Sequence, residues 1–267
     1  MDAFAALASQ GRAVLVTVAV VEGSGPREPG AWMLVLPQGE AGTIGGGRLE
    51  FDAIALAREM LAGRQSAPRR QRYALGPSLG QCCGGVVHLD FESVDAADLP
   101  ALRQRLARPL TPVALFGGGH VGSAIARLCE GLPLQLTWID SRDGVFPRQV
   151  PDNVACEHSD PVHGAVPQLA PGSLVLIMSF SHAEDLDILA ACLQRRRARA
   201  DLPFIGLIGS KTKWATFRHR LEHRGFDAAE LDAVHCPIGI AGITGKQPAV
   251  IAVAAVAQLL QAASAPD

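Results

Sequence analysis

No segment restricts the fold of this chain more than Gly117-Gly118-Gly119-His120-Val121-Gly122. It follows an apolar run at 113–116 that reads as a strand and opens an apolar-periodic stretch at 120–130 that reads as a helix. The next strand-like run, 134–140, ends in Asp140. A G-x-G-x-x-G string between a strand and a helix, with an acid closing the following strand, is the signature of a dinucleotide-binding turn. Each glycine has its own reason to be there. Gly117 permits the tight turn, Gly119 lets backbone approach a pyrophosphate, and Gly122 allows the helix to pack closely. The helix start adds unpaired N–H groups and a partial positive charge for an anion. Asp140 is then placed to hydrogen-bond a ribose diol. The plainer reading is that these glycines only pack a strand–helix corner.

Around this corner, strands and helices alternate. Further strands are expected at 174–179 and 204–208, and helices at 183–197, 212–224 and, behind Pro248, 249–263. Strands separated by crossover helices imply a parallel, doubly wound α/β sheet. The first half reads differently, as a smaller mixed α+β domain. It has a β-branched strand at 13–21, the turn-rich Gly23-Ser24-Gly25-Pro26, a strand at 32–36, a helix at 48–62 and a short strand at 86–91. Between the halves lies a polar, small-residue stretch with Pro100, Pro109 and Pro112. We therefore expect a domain at 1–95, a linker at 96–111 and a second domain at 112–267.

Composition narrows the class. With 48% apolar residues in 267, the chain can build a sizeable core, which excludes intrinsic disorder. A net charge of −2 gives no bulk attraction to nucleic acid. No apolar stretch reaches the roughly 18 residues of a membrane span, and Met1-Asp2-Ala3-Phe4 has an acid where a secretory signal carries bases. The expectation is a soluble, cytoplasmic protein. Four of the six cysteines are scattered without zinc spacing, and Cys129 and Cys192 sit in helical patterns as small hydrophobes.

Other segments carry candidate chemistry. Gly45, Gly46 and Gly47 precede a helix and form a second potential anion cradle. Gly209, Ser210 and Lys211 sit at another strand–helix junction and add a cation, although Ser210 also reads as a plain helix cap. Strand ends in such a sheet gather at one crevice, so residues 117–122, 179–182 and 209–211 are expected to line one site. His182, near Asp185, is the catalytic-looking pair, with a capped helix and packed histidine as its alternative. Adjacent Cys82 and Cys83 lie between glycines on a loop, where exposed amides favour thiolate. They suit a soft metal, a persulfide or redox chemistry, or else fill a tight turn. Arg195-Arg196-Arg197 and the basic 68–72 stretch read as solvated.

Taken together, the strings GTIGGGRLE (42–50), QCCGG (81–85), LFGGGHVG (115–122), SHAED (181–185), GLIGSKTK (206–213) and HCPIGIAGITGKQPA (235–249) resemble the XdhC/CoxI family. They span both halves, and their combination is far more specific than the glycine string alone. Ser181 stands where many members carry Thr, and it keeps the hydroxyl. The resemblance implies an N-terminal XdhC/CoxI domain followed by a Rossmann-like domain. It also implies a homodimeric molybdenum-cofactor chaperone that binds Mo-molybdopterin, supports its sulfuration with a cysteine desulfurase and delivers it to apo-xanthine dehydrogenase. On that reading Cys82 or Cys83 contacts the molybdenum end, and a glycine loop holds the terminal phosphate.

Two other classes compete. An NAD(P)-dependent oxidoreductase would use the fingerprint and Asp140, yet the sequence offers no acid–base constellation beyond His182. An assembly factor touching only protein would leave the glycine loops and the cysteine pair unused. The expectation is therefore a cofactor-binding insertion factor rather than a turnover enzyme.

Overall fold

A computed structural model describes residues 3–64, 70–75, 84–107 and 109–264. The chain forms two compact units, Met1–Ala107 and Arg108–Asp267.

The first unit is a five-stranded antiparallel sheet with helices on both faces. In chain order its elements are α1 (Ala3–Gln10), β1 (Arg12–Glu22), β2 (Trp32–Val35), β3 (Glu40–Gly42), α2 (Gly47–Leu61), β4 (Arg70–Ala74), β5 (Val86–Asp95) and α3 (Leu99–Leu106). The strand order is β3-β2-β1-β5-β4. Central β1 is apolar along its length because both of its faces are covered. Val14, Val16 and Val18 pack with Leu49, Ala53 and Ala57 of α2, while Ala13 and Leu15 pack with Leu7 and Leu102 of α1 and α3. This is the period of two expected of a strand between two layers.

The residues expected to be linker carry structure. Asp95 and Asp98 form a reciprocal capping box, and α3 then buries Leu102. The basic stretch near 70 is edge strand β4, whose Arg70 holds Asp90 through two bonds of 2.7 and 2.8 Å. Charge on a sheet edge discourages further pairing.

The second unit contains β6 (Thr111–Phe116), α4 (His120–Leu128), β7 (Leu134–Asp140), β8 (Val154–His158), β9 (Leu174–Ile177), α5 (His182–Arg199), β10 (Phe204–Leu207), α6 (Lys211–His223), α7 (Ala228–Asp232), β11 (Val234–His235) and α8 (Pro248–Ala263). All of its strand pairs are parallel, in the order β11-β10-β9-β6-β7-β8. Counted within the unit, that order is 3-2-1-4-5-6, the doubly wound Rossmann arrangement, which reverses between β6 and β9. Val175 and Ile177 face a core shared with α5 and α6, and Leu174 and Leu176 face one shared with α4 and α8. The fold is α/β, as the alternation predicts.

Two sequence expectations meet different fates in this core. Cys129 and Cys192 are buried as expected, and burial pushes their thiols up to about 11 and about 12. The arginine run, in contrast, is divided: Arg197 is exposed as expected, and Arg195 is not. Arg195 is only 6% exposed and donates to the carbonyls of Val166 and Leu169 and to Asp201. Those carbonyls close the short 3-10 turn Val162–Gln168, and the guanidinium serves them while Asp201 balances its charge.

Candidate functional site

In sheets of this order the loops after the two strands flanking the reversal, here β6 and β9, diverge, and ligands bind at the strand ends between them. Gly117 makes the first turn with φ +122°, and a Cβ there would overlap the Met178 carbonyl on the neighbouring loop. A Cβ on Gly122 would overlap the Gly117 carbonyl, which also accepts from Trp138 Nε1 at 2.9 Å. Both glycines are thus needed for close approach of strand, helix and loop. Gly119 differs from them. It begins α4 without a side-chain cap, and a Cβ there would meet nothing within 4 Å. The first turn of α4 therefore has open space beside it.

Asp140 ends β7 at only 2% exposure. Its Oδ2 accepts from Gly118 N–H at 2.5 Å and Arg142 Nη2 at 2.9 Å, and its Oδ1 accepts from Arg142 N–H at 2.8 Å and Arg142 Nε at 2.9 Å. Burial pushes the carboxyl up, but the Arg142 side chain, the two backbone N–H donors and the Arg142 charge outweigh it and hold Asp140 below the usual carboxylate range. The Arg142 guanidinium lies 4.7 Å from the ring centre of Phe180, itself 67% exposed on the loop after β9. Beside them Ser141 Oγ donates to Glu184 Oε1 at 2.6 Å, while the buried Glu184 Oε2 has no hydrogen-bond partner among the described residues.

The next loops join through a buried ion pair. Asp185 accepts from the N–H and hydroxyl of Ser179 at 2.8 and 2.7 Å and from Lys213 Nζ at 2.6 Å. Lys213 also donates to the Ile208 carbonyl at 2.8 Å. Lys213 and Asp185 therefore join the loops after β9 and β10, and the loop after β6 meets that after β9 where Gly117 passes the Met178 carbonyl. Lys211 is exposed on the first turn of α6, and Ser210 caps that helix by accepting from Lys213 N–H. Ser181 caps α5, and exposed His182 lies edge-on to Phe217 at 6.2 Å. A Cβ on Gly209 would lie 3.4 Å from Cys236 Sγ, a thiol that burial pushes up. Sequence reasoning missed Arg142 and Lys213, and it reached Cys236 only within the 235–249 string, with no chemistry assigned to it. The GSKTK string held the second lysine, three residues after the cap.

In the first unit, Gly45, Gly46 and Gly47 all have positive φ, and Gly46 is the N-cap of α2. Their cradle already holds an internal anion. Glu50 Oε2 accepts from Thr43 Oγ1 at 2.6 Å, Ile44 N–H at 3.0 Å and Gly46 N–H at 3.1 Å. A Cβ on Gly45 would press on Pro26, and one on Gly85 would overlap the carbonyls of Ser24 and Glu22. The turn at 23–27 thus touches both the glycine loop and the end of the cysteine-containing string. Cys82 and Cys83 themselves lie outside the described residues. Among the described residues, no three His, Cys, Asp or Glu side chains group as a metal site, and no helix is long and apolar enough to cross a membrane.

Comparison with known proteins agrees with this architecture. Residues 113–259 match the XdhC Rossmann domain, and residues 6–74 match the XdhC and CoxI family. The chain is 29% identical over 245 residues to the uncharacterised protein YqeB of Escherichia coli (strain K12). That match covers 90% of this chain but spans only 41% of the relative's length. A crystal structure of a protein described as a xanthine dehydrogenase from Bacillus halodurans superposes with a TM-score of 0.77 at 21% identity, covering 100% of this chain and 98% of the other. At that identity the likeness is one of fold.

Proposed function

The chain belongs to the XdhC and CoxI family, and on that premise we propose that it binds molybdenum cofactor and delivers it to apo-xanthine dehydrogenase. The observation that carries this reading is the match of both halves, in order, to the two parts of the family. Bound cofactor would supply the acceptor enzyme with its molybdenum centre. The protein's own task is to hold, shield and release it. As further parts of the proposal, a cysteine desulfurase supplies sulfur, the chain works as a cytoplasmic homodimer, and it does not itself turn over a substrate.

The residues fit such a group at its phosphate end. The uncapped first turn of α4 with open space at Gly119 suits a phosphate, which would accept its N–H groups. Exposed Lys211 adds a cation at the start of α6. The loop of Gly45, Gly46 and Gly47 suits it less, because Glu50 already takes the amides of Ile44 and Gly46. For the molybdenum end, the soft donor available by chemistry is Cys82 or Cys83.

The test is equilibrium binding of molybdopterin to the purified protein, wild type beside Cys82→Ala and Cys83→Ala, followed by transfer to apo-xanthine dehydrogenase. Binding by wild type, weakened by one of the substitutions, is expected. No affinity for the pterin would end this reading.

One observation favours a second reading, an NAD(P)-dependent oxidoreductase. The 3-2-1-4-5-6 strand order with its glycine corner is built for dinucleotides. Against it, Asp185 is engaged by Ser179 and Lys213 rather than by His182, so the expected acid–base pair is not assembled.

A further inference from the structure

In dinucleotide-binding sheets, the acid ending the second strand receives both hydroxyls of a ribose. Asp140 stands in that position, but its acceptor capacity is used up. A carboxylate has about four lone-pair sites, and Gly118 N–H together with Arg142 N–H, Nε and Nη2 fills them. We propose that Arg142 sets the ligand class of the Rossmann crevice: by occupying Asp140 it closes the ribose-diol seat, so that the crevice refuses NAD and takes a phosphorylated ligand with no free ribose diol. This rests on the reading of the crevice as a cofactor site and narrows it.

A comparison of competitors shows why the arginine holds the seat. The guanidinium and a ribose diol each offer Asp140 two donors. The guanidinium adds a full opposite charge in a bidentate fork, and it is tethered two residues away, whereas the ribose arrives from dilute solution. Main chain and side chain of Arg142 wrap the same carboxylate, so displacing the side chain works against the local turn. Phe180 packs on the guanidinium from the neighbouring loop. Glu184, whose charge also favours the arginine's cation, would be left beside an uncompensated Asp140 if Arg142 swung away. The open first turn of α4 at Gly119 is untouched by this lock. The crevice can therefore accept a phosphate while its sugar seat is shut.

The experiment titrates NAD into wild type, Arg142→Ala, Arg142→Lys and Arg142→Ala/Asp140→Asn. The readout is equilibrium dialysis, supported by tryptophan fluorescence, to which Trp138 contributes with its indole bonded to the Gly117 carbonyl. Wild type is expected to show no saturable binding at millimolar NAD. Arg142→Ala should gain at least about tenfold in affinity, Arg142→Lys should gain less, and adding Asp140→Asn should cancel the gain. Should the alanine variant fail to fold, the lysine variant, which keeps the charge but loses the fork, still reports. Tight NAD binding by wild type, or no gain in a folded variant, overturns the proposal. Molybdopterin is titrated separately. If it does not bind while the NAD arm behaves as expected, the chaperone reading falls and the lock stands. If it binds while Arg142 variants leave NAD affinity unchanged, only the lock falls.

Discussion

Lys213 on α6 and Arg142 on the loop after β7 solve the same problem, each supplying the cation that a buried carboxylate needs. The side chains of Lys213 and Asp185 are 11% and 3% exposed, so removing one partner leaves a charge in a place it cannot be hydrated. Lys213→Met should therefore destabilise the fold by about 3–5 kcal/mol in urea denaturation, and adding Asp185→Asn should restore part of the loss. A mere tenth of that effect would show the pair to be solvated in solution. Asp140 makes a pH prediction. Its folded pKa is depressed, so its contribution is fully present above the unfolded value of about 3.9 and is lost as pH falls through the lower folded value. Asp140→Asn should accordingly be less stable than wild type at pH 6 and should lose less stability than wild type on acidification below about pH 4. Parallel stability–pH curves for the two proteins would contradict this. Asp140 and the glycines were legible in the sequence because the fingerprint fixes their spacing. The partner of Asp185 was not, because Lys213 is 28 residues away and meets it only once β9 and β10 lie side by side.

Helix α2 shows how the loop entering an element can be held where the helix has no capping side chain. Gly46 is the N-cap at φ 74° and ψ −170°, a conformation that suits glycine, and it has no side chain to receive the first amides. Glu50 reaches back from the first turn to the loop that leads into it and accepts the amides of Ile44 and Gly46. Burial pushes its carboxyl up, but bonds from Thr43, Gly46, Ile44 and Gly45 bring it below the usual range. Glu50→Ala should cost about 1–2 kcal/mol, read as a lowered urea midpoint of the unit containing α2. An unchanged midpoint would show that water replaces the carboxylate at no loss. Elements of this kind also explain which parts of the fold the sequence reveals. Strands β1, β6, β9 and β10 announce themselves as apolar runs because both of their faces are covered. Edge strands β4 and β8 do not, since RQRYA and VACEH bury almost nothing and owe their pairing to β5 and β7. Helix α3 is hidden for a similar reason. Its LPALRQRL buries only Leu102, so prolines and charges make the stretch read as linker.

At the scale of the molecule, each unit owns its core. Val14, Leu49 and Leu89 share one cluster and Leu7, Leu34 and Leu102 another, all of them within Met1–Ala107. Phe116, Ile177 and Leu189, and then Leu136, Trp138 and Leu259, do the same within Arg108–Asp267. A unit of that length lies within the usual size of an independently folding domain, and its sheet is covered on both faces by its own helices. The isolated 108–267 fragment should therefore fold and unfold in a single cooperative transition. Lys213→Met should lower its stability by the same amount as in the full chain, because Asp185, Ser179 and Ile208, the groups it serves, all lie in the same unit. Thermal unfolding of the fragment followed by circular dichroism tests this directly. A fragment without a cooperative transition would show that the second sheet depends on residues before 108. A cooperative fragment in which Lys213→Met has lost its effect would place the origin of that ion pair's stabilisation outside the Rossmann unit.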